Sequence, residues 1–402
     1  MKISAQTYKP TAQSLKVQPI ATLARITDLW LLAVTLVLLA LGFVMVSSAS
    51  MAIAERQLGD PFYFAARQLS YIGMGVVTAL LVLQIPLARW EKHSILLLGF
   101  GIALLIAVLL PGVGREVNGS VRWLPMGLFN LQVSEMMKLV VVIYMASYLM
   151  RRAELVRTSV MGFVWPMAVL GVISVLLLLE PDFGATAVLS VTVMGLLFLA
   201  GVRLWQFGVL ISLAGAGLVT LVLTSPYRVE RLQSFMYACD IEFAYNKGYQ
   251  LCQALIAFSR GEWLGVGLGA GVQKLFYLPE AHTDFLLAVL AEEIGFVGAA
   301  AVIGLFALFI ARAFIIAYRA EQRGYLFGAY LAYGIGLWLG LQAFVNVGVN
   351  MGVLPTKGLT LPLMSYGGSS LIISCIAVAL LLRVDYETRF LHAMSGKGTG
   401  PW

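Results

Sequence analysis

Residues 29–50 read LWLLAVTLVLLALGFVMVSSAS, an apolar run without a single charge. A helix needs about 20 such residues to cross the hydrocarbon of a bilayer. The run follows a polar, basic segment and is too long for the apolar core of a cleavable signal, so it is expected to remain as a first span. The rest of the chain continues in the same manner. Of 402 residues, 60% are hydrophobic and only 12% are charged, against about a quarter charged in soluble domains. Backbone groups in lipid must be satisfied within the spanning structure, which leaves helices or a closed barrel. The apolar runs are continuous and lack the alternation of barrel strands, so the fold expected is an all-α polytopic membrane protein. The 40 glycines do not oppose this, because glycine is frequent in membrane helices.

About ten transmembrane helices are expected on the length rule. They fall near residues 29–50, 69–85, 95–110, 134–150, 161–179, 183–202, 205–224, 284–317, 325–346 and 368–383. The eighth run exceeds one span and should project at its inner end. Lys and Arg set the orientation. Lys2, Lys9, Lys16 and Arg25 precede the first span, and alternate connections carry Arg89 and Lys92, then Arg151, Arg152 and Arg157, then Arg203, then Arg312, Arg319 and Arg323. Arg383, Arg389 and Lys397 follow the last span. All fall on one side if both termini are cytoplasmic. Residues 1–27 then form a cytoplasmic N-terminal tail, 28–389 a single transmembrane domain and 390–402 a cytoplasmic C-terminal tail. The opposite, periplasmic face receives residues 112–133, 347–367 and a large loop, 225–283, between the seventh and eighth spans. Long ordered loops usually carry function.

The net charge of +7 is spread between apolar runs and is explained by topology, so no nucleic acid is expected as a partner. Three cysteines are too few for a disulfide framework. Cys239 and Cys252 share the large outer loop and either pair in an oxidising compartment or stay free. Three histidines argue against a histidine-based metal site, and no metal ligand is assigned.

Three clusters at the outer face could carry chemistry. Residues 278–285 bring Glu280, His282 and Asp284 to the start of the eighth span. Thr283 or Asp284 could simply cap that helix, or Asp284 could act as a general base toward a substrate hydroxyl. The second cluster joins Lys357 to Ser365, Tyr366, Gly367, Gly368 and Ser369 before a helix start, where free N–H groups suit a phosphate; a capped turn is the plainer reading. The third holds Arg122 and Trp123, then Ser134, Glu135 and Lys138, the last two sharing a helix face. An ionisable pair within a span is read as functional by default, with a structural ion pair as the alternative. Glu292 and Glu293 lie within the eighth span and should face protein or water rather than lipid. Gly265, Gly267, Gly269 and Gly271 alternate but lack the Lys-Ser/Thr and the strand–helix setting of a phosphate loop.

Together these motifs resemble the SEDS family of cell-wall glycan polymerases, from about Asp28 to Arg389. The resemblance rests on Arg122-Trp123 with Ser134, Glu135 and Lys138; on Pro181 to Gly184; on Asn246 to Gln250; on His282 to Phe285; and on Ser365 to Ser370. The stretches 278–285 and 355–370, Glu292 to Gly295 and the tail Asp385 to Arg389 are similar to the division branch rather than the elongation branch. Val133 stands where members usually have Pro, Phe183 and Ala185 stand where they have Leu and Thr, and residues 237–241 lack the usual Pro-rich stretch. The resemblance implies a peptidoglycan glycosyltransferase of the inner membrane that polymerises lipid II at the division septum, with its active site on the periplasmic face. The 4-hydroxyl of one lipid II would attack the muramyl C1 of an undecaprenyl-linked glycan, with inversion and loss of undecaprenyl pyrophosphate. Asp284 would be the catalytic base. Arg122, Lys138 and Lys357 would hold pyrophosphate, and Glu135, Glu280, His282, Ser365, Tyr366 and Ser369 would line the substrate site. No cofactor is required, though a divalent cation on the pyrophosphate is compatible with the chemistry. Implied partners are a class B penicillin-binding transpeptidase (FtsI type) and division proteins of the FtsQ, FtsL and FtsB types. A lipid II flippase, which would need charges along a two-sided mid-membrane path, and a non-catalytic division scaffold are the alternatives.

Overall fold

A computed structural model describes residues 28–117, 120–125, 130–209, 212, 233–246, 248–356 and 358–394. Helix α1 (Leu29–Leu58) starts where Asp28 accepts a hydrogen bond from the Leu31 amide (3.0 Å), and stops where Gly59 turns to φ 71°. It therefore runs eight residues past Ser50, through a polar stretch too hydrophilic to be read as membrane. Helices α2 (Tyr63–Leu83) and α3 (Leu87–Leu109) follow. Both keep large apolar side chains exposed, among them Val77, Leu80, Leu96 and Phe100, a surface that suits lipid and not water.

Residues 112–133 depart from the all-α expectation. They form a three-stranded antiparallel sheet of β1 (Arg115–Val117), β2 (Ser120–Pro125) and β3 (Asn130–Gln132). Trp123 pairs with Arg115 on one side and with Gln132 on the other. The β-branched and aromatic residues of β2 favour a strand, in a piece too short to register beside the long helical runs. Helices α4 (Val133–Arg151), α5 (Ala153–Thr158), α6 (Met161–Leu179) and α7 (Phe183–Leu199) come next, then α8 (Tyr249–Gly261), α9 (Leu286–Gln322), α10 (Leu326–Asn350) and α11 (Gly368–Met394). Among the described residues, eight helices are long and apolar enough to cross a membrane: α1, α2, α3, α4, α6, α9, α10 and α11. The shorter α7 matches the sixth expected run. The seventh, 205–224, lies largely outside the described residues, as does the N-terminal tail. Helices α4, α10 and α11 are the most deeply buried and form the middle of the bundle.

Helix α9 is broken. Gly295 takes φ 80° and ψ −172°, which interrupts the helical ladder. The carbonyls of Glu292 and Glu293 accept instead from the amides of Val266 and Gly267, both at 3.0 Å, and the Phe296 amide donates to Glu262 O at 2.9 Å. The glycines alternating through 265–271 thus serve the fold, because they let backbone lie against the break. The carboxylate of Glu292 accepts from the Val272 amide (2.9 Å), and that of Glu293 from Ser48 Oγ (2.8 Å), Lys274 Nζ and the Gly269 amide (3.1 Å). Both acids face protein, as expected of ionisable groups within a span. Cys239 and Cys252 form a disulfide, with Cα atoms 5.0 Å apart, which ties the preceding segment to α8.

At the opposite end of the bundle α11 continues beyond the expected limit of 383. Arg383, read from sequence as a loop cation, is buried at 1% exposure. Its Nε donates to Glu387 Oε1 (2.7 Å) and its Nη1 to Leu83 O (2.9 Å). Glu387 also accepts from the Leu87 amide and the Tyr325 hydroxyl. This ties together the adjoining ends of α2, α3, α10 and α11.

Candidate functional site

The turn that delivers residues 278–285 to α9 ends without using its acids as caps. The residue before the helix is Phe285, which supplies no side-chain cap. The Ala288 amide donates to Phe285 O at 3.0 Å and also, across to another helix, to Asn350 Oδ1 of α10 at 3.1 Å. Asn350 Nδ2 and Asn346 Nδ2 both donate to the main-chain oxygen of Asp284, each at 2.9 Å. The backbone of Asp284 is therefore clamped while its carboxylate stays out of helix capping. Among the described residues that carboxylate takes no hydrogen bond. It is half-buried, and burial with the neighbouring charge of Glu280 pushes it up to about 7 against the pull of Arg122. A carboxyl poised there can take a proton near neutral pH. Glu280 is exposed and holds φ 54°, its carboxylate accepting from the Thr283 hydroxyl at 2.6 Å.

The segment 354–367 closes over this carboxylate. A side chain at Gly358 would place its first carbon 2.8 Å from Asp284 Oδ2, so the close approach depends on glycine there. Asn346 Nδ2 also donates to Leu359 O at 2.6 Å, and the Tyr366 amide donates to His282 O at 3.0 Å. Lys357 lies outside the described residues. Ser365 Oγ accepts from the Leu361 amide (2.9 Å), and Ser369 Oγ accepts from the Gln132 amide (2.9 Å) and donates to Asn130 O (2.8 Å). Both hydroxyls are thus committed to backbone and fasten the loop to itself and α11 to β3. The rings of Tyr366, His282 and Phe64 of α2 gather beside the turn, with centroids 4.8 to 5.5 Å apart. Burial lowers the His282 imidazole below its usual range, against the pull of Glu280, and raises the Tyr366 phenol.

Arg122 reaches the site from β2. Its Nε donates to Glu180 O (2.9 Å) and its Nη2 to Pro181 O (2.7 Å), at the turn between α6 and α7. Among the described residues two donating positions are used, which leaves the rest of the fork for a ligand. Asp182 caps α7 by accepting from the Ala185 amide (3.1 Å), and accepts as well from Ser134 Oγ (2.8 Å). Lys138 and Glu135 are deeper, within α4. Lys138 Nζ donates to Glu135 Oε1 (2.8 Å) and to Gln342 Oε1 of α10 (2.7 Å), and Gln342 Nε2 donates to Thr360 O (3.0 Å). The ammonium is 1% exposed along with its side chain, so it supports the loop at 360 from below. Sequence reading missed Gln342, Asn346 and Asn350. Their spacing of four residues in an apolar run was the available signal, since it aligns three amides on one helix face.

The expected residues that are described thus lie toward one end of the bundle, from β2, α4, the turn 278–285 and the segment 358–367, around the Asp284 carboxylate. Among the described residues no group of three His, Cys, Asp or Glu side chains is placed to hold a metal ion. Residues 29–390 match the Cell cycle protein family of FtsW, RodA and SpoVE. The chain belongs to that family. Among its relatives, the probable peptidoglycan glycosyltransferase FtsW of Nitrosococcus halophilus is 58% identical over 365 residues, covering 90% of this chain and 93% of the relative. That of Thioalkalivibrio sulfidiphilus is 55% identical over 386 residues, covering 96% and 95%. Of solved structures, a chain in a peptidoglycan synthase complex that coordinates polymerisation and crosslinking superposes with TM-score 0.74 at 31% identity, covering 90% of this chain and 98% of that one. The rod shape determining protein RodA of Thermus thermophilus gives TM-score 0.64 at 29% identity, covering 90% and 97%. The FtsW/RodA/SpoVE fold is therefore common to the whole described bundle and not to one motif.

Proposed function

We propose that this chain is a peptidoglycan glycosyltransferase of the FtsW type, polymerising lipid II at the division septum from the periplasmic face of the inner membrane, with both termini cytoplasmic. The observation that carries the reading is the Asp284 carboxylate: its backbone is clamped by two amides of α10, it caps no amide of α9 among the described residues, and its acidity is weakened to about 7. A catalytic base needs those properties. In the reaction the acceptor oxygen of one lipid II forms a bond to the muramyl C1 of the donor. The bond from C1 to the pyrophosphate oxygen breaks, and the acceptor's proton passes to Asp284. The acceptor oxygen attacks opposite the leaving group, as water does in inverting glycosidases. Undecaprenyl pyrophosphate leaves as an anion and needs no proton. Arg122, with donors still available, stabilises the charge that develops there. A divalent cation, where used, travels with the substrate's phosphates. Glu135, Lys138 and Gln342 hold α4, α10 and the segment near Thr360 in register. His282, Tyr366 and Phe64 offer the saccharide an aromatic wall.

The partner that fits is a class B transpeptidase, since strand synthesis has to feed crosslinking; the solved complex this chain resembles is one that coordinates the two activities. FtsQ-, FtsL- and FtsB-type proteins complete the assembly proposed. The test is strand synthesis from lipid II by the purified protein with its transpeptidase, crosslinking blocked. Wild type should make strands and Asp284→Asn should not, with both complexes intact. Equal synthesis by the two would remove Asp284 as base. No synthesis by either, with lipid II crossing vesicles in their presence, would favour a flippase.

A further inference from the structure

Glu180 follows α6 at the turn into α7, and the reaction above makes no use of its side chain. It is 1% exposed, and neither carboxyl oxygen has a hydrogen-bond partner among the described residues. An ionised carboxylate there would lose its hydration with nothing in exchange. Two charges act on it, those of Asp182 and Arg122. Asp182 stands two residues on, its carboxylate engaged by Ser134 and the Ala185 amide. On α4, which meets this turn through Ser134, Glu135 and Lys138 close on each other at 2.8 Å. On β2, Arg122 spends its Nε and Nη2 on the main-chain oxygens of Glu180 and Pro181, and among the described residues no ion pair joins it to the Glu180 carboxyl. Burial and the charge of Asp182 push Glu180 up to about 8 against the pull of Arg122. The same guanidinium acts on Asp284, so one cation sits electrically between a carboxyl that must lose its proton and another that has no partner for a charge.

We propose that Glu180 is a positioning residue that has to stay protonated for strand synthesis: neutral, it leaves the charge of Arg122 directed at Asp284 and the substrate's pyrophosphate, and as an anion it would draw that charge into the turn. The inference rests on the polymerase reading and adds to it a residue that acts through Arg122. No bond is made or broken at Glu180 and its proton is not transferred. The rate of strand synthesis should therefore rise with pH as Asp284 ionises near 7 and fall as Glu180 ionises near 8.

The experiment measures strand synthesis from lipid II across about pH 6 to 10 by the complex of this chain with its transpeptidase, wild type against Glu180→Gln. Glutamine keeps the shape of the side chain and cannot ionise. At pH 7 the variant should work within about twofold of wild type. Near pH 9, where wild type falls to about a tenth of its plateau, the variant should hold its plateau. A falling limb that survives in the variant overturns the proposal, and so does loss of activity at pH 7 in a folded variant. An independent arm is infrared spectroscopy of the protein in lipid: a protonated-carboxyl band at pH 7 that disappears in Glu180→Gln supports the proposal, and its absence overturns it. Failure of wild type to make strands at any pH would strike the polymerase reading, while the infrared arm still decides the protonation of Glu180.

Discussion

Asp284→Asn should abolish strand synthesis and at the same time stabilise the folded protein above neutral pH. The folded-state value of about 7 lies above the usual 3.8. The folded protein thus holds this proton more tightly than the unfolded chain does. That contribution to stability is fully present at low pH and is lost as pH rises through about 7. A gap of about 3 pK units at 1.36 kcal/mol each gives a loss of about 4 kcal/mol at the upper limit. The carboxylate is half-buried and water reaches part of it, so ~2 kcal/mol is the working figure after screening. Asparagine carries no proton to lose and escapes the effect. The assay is the thermal midpoint of wild type and variant in one detergent, at about pH 5 and about pH 8. Groups remote from the site titrate equally in both proteins, so the difference between them reports Asp284 together with its neighbour Glu280. The variant should gain on wild type between the two values, because the unfolded chain gives up this proton near 3.8 and only the part of the effect that falls between about pH 5 and about pH 7 is read. A difference that is the same at both values would refute the raised acidity constant, and with it the argument that Asp284 is poised as a base. The wild-type rate carries the same signature, falling to about a tenth of its plateau one unit below the midpoint.

Gly358→Ala should leave the fold standing and slow synthesis by about 100-fold, because its new methyl at 2.8 Å must push the Asp284 carboxylate aside and small displacements of a reacting group are costly; an unchanged kcat with unchanged KM would refute the close approach. Asn350→Ala should lower stability by about 1 to 2 kcal/mol, since it removes one of the two acceptors of the Ala288 amide and one of the two bonds to Asp284 O, measured as a fall in thermal midpoint with a parallel loss of activity.

The long helices were legible because membrane imposes a simple rule on composition, and α3, α4, α6 and α7 start or end close to the expected limits. What escaped was structure that depends on a partner distant in the chain. The sheet at 115–132 was hidden by its brevity. The alternating glycines of 265–271 carry no phosphate-loop chemistry, and their use appears only when α9 is seen to break at Gly295, some two dozen residues on. Arg383 was counted with the loop cations by its place after an apolar run, but its partners Glu387 and Leu83 hold it inside the bundle. The clusters at Arg122, Glu135, Lys138 and 278–285 were all visible, yet the sequence could not order them by depth. In the structure Lys138 is closed off by Glu135 and Gln342, whereas Arg122 keeps part of its fork available.

The amide column on α10 explains why the capping reading of Asp284 and the catalytic one were both open from sequence and why they are separated in the structure. An acid just before a helix is ordinarily drawn into its first turn by unsatisfied amides. Here the amide that would compete for it, that of Ala288, already has two acceptors, Phe285 O and Asn350 Oδ1. Asn346 and Asn350 then fix the Asp284 carbonyl, and Gln342, one turn further down, braces the facing loop at Thr360. Three amides at four-residue spacing in an apolar helix would be an unfavourable choice if they served packing alone, since each must be hydrogen-bonded in a low-dielectric interior. Their partners are the backbone of the base and the backbone of the loop that covers it. A helix that holds both by neutral groups positions a carboxylate without adding a charge that would return its acidity to the ordinary range.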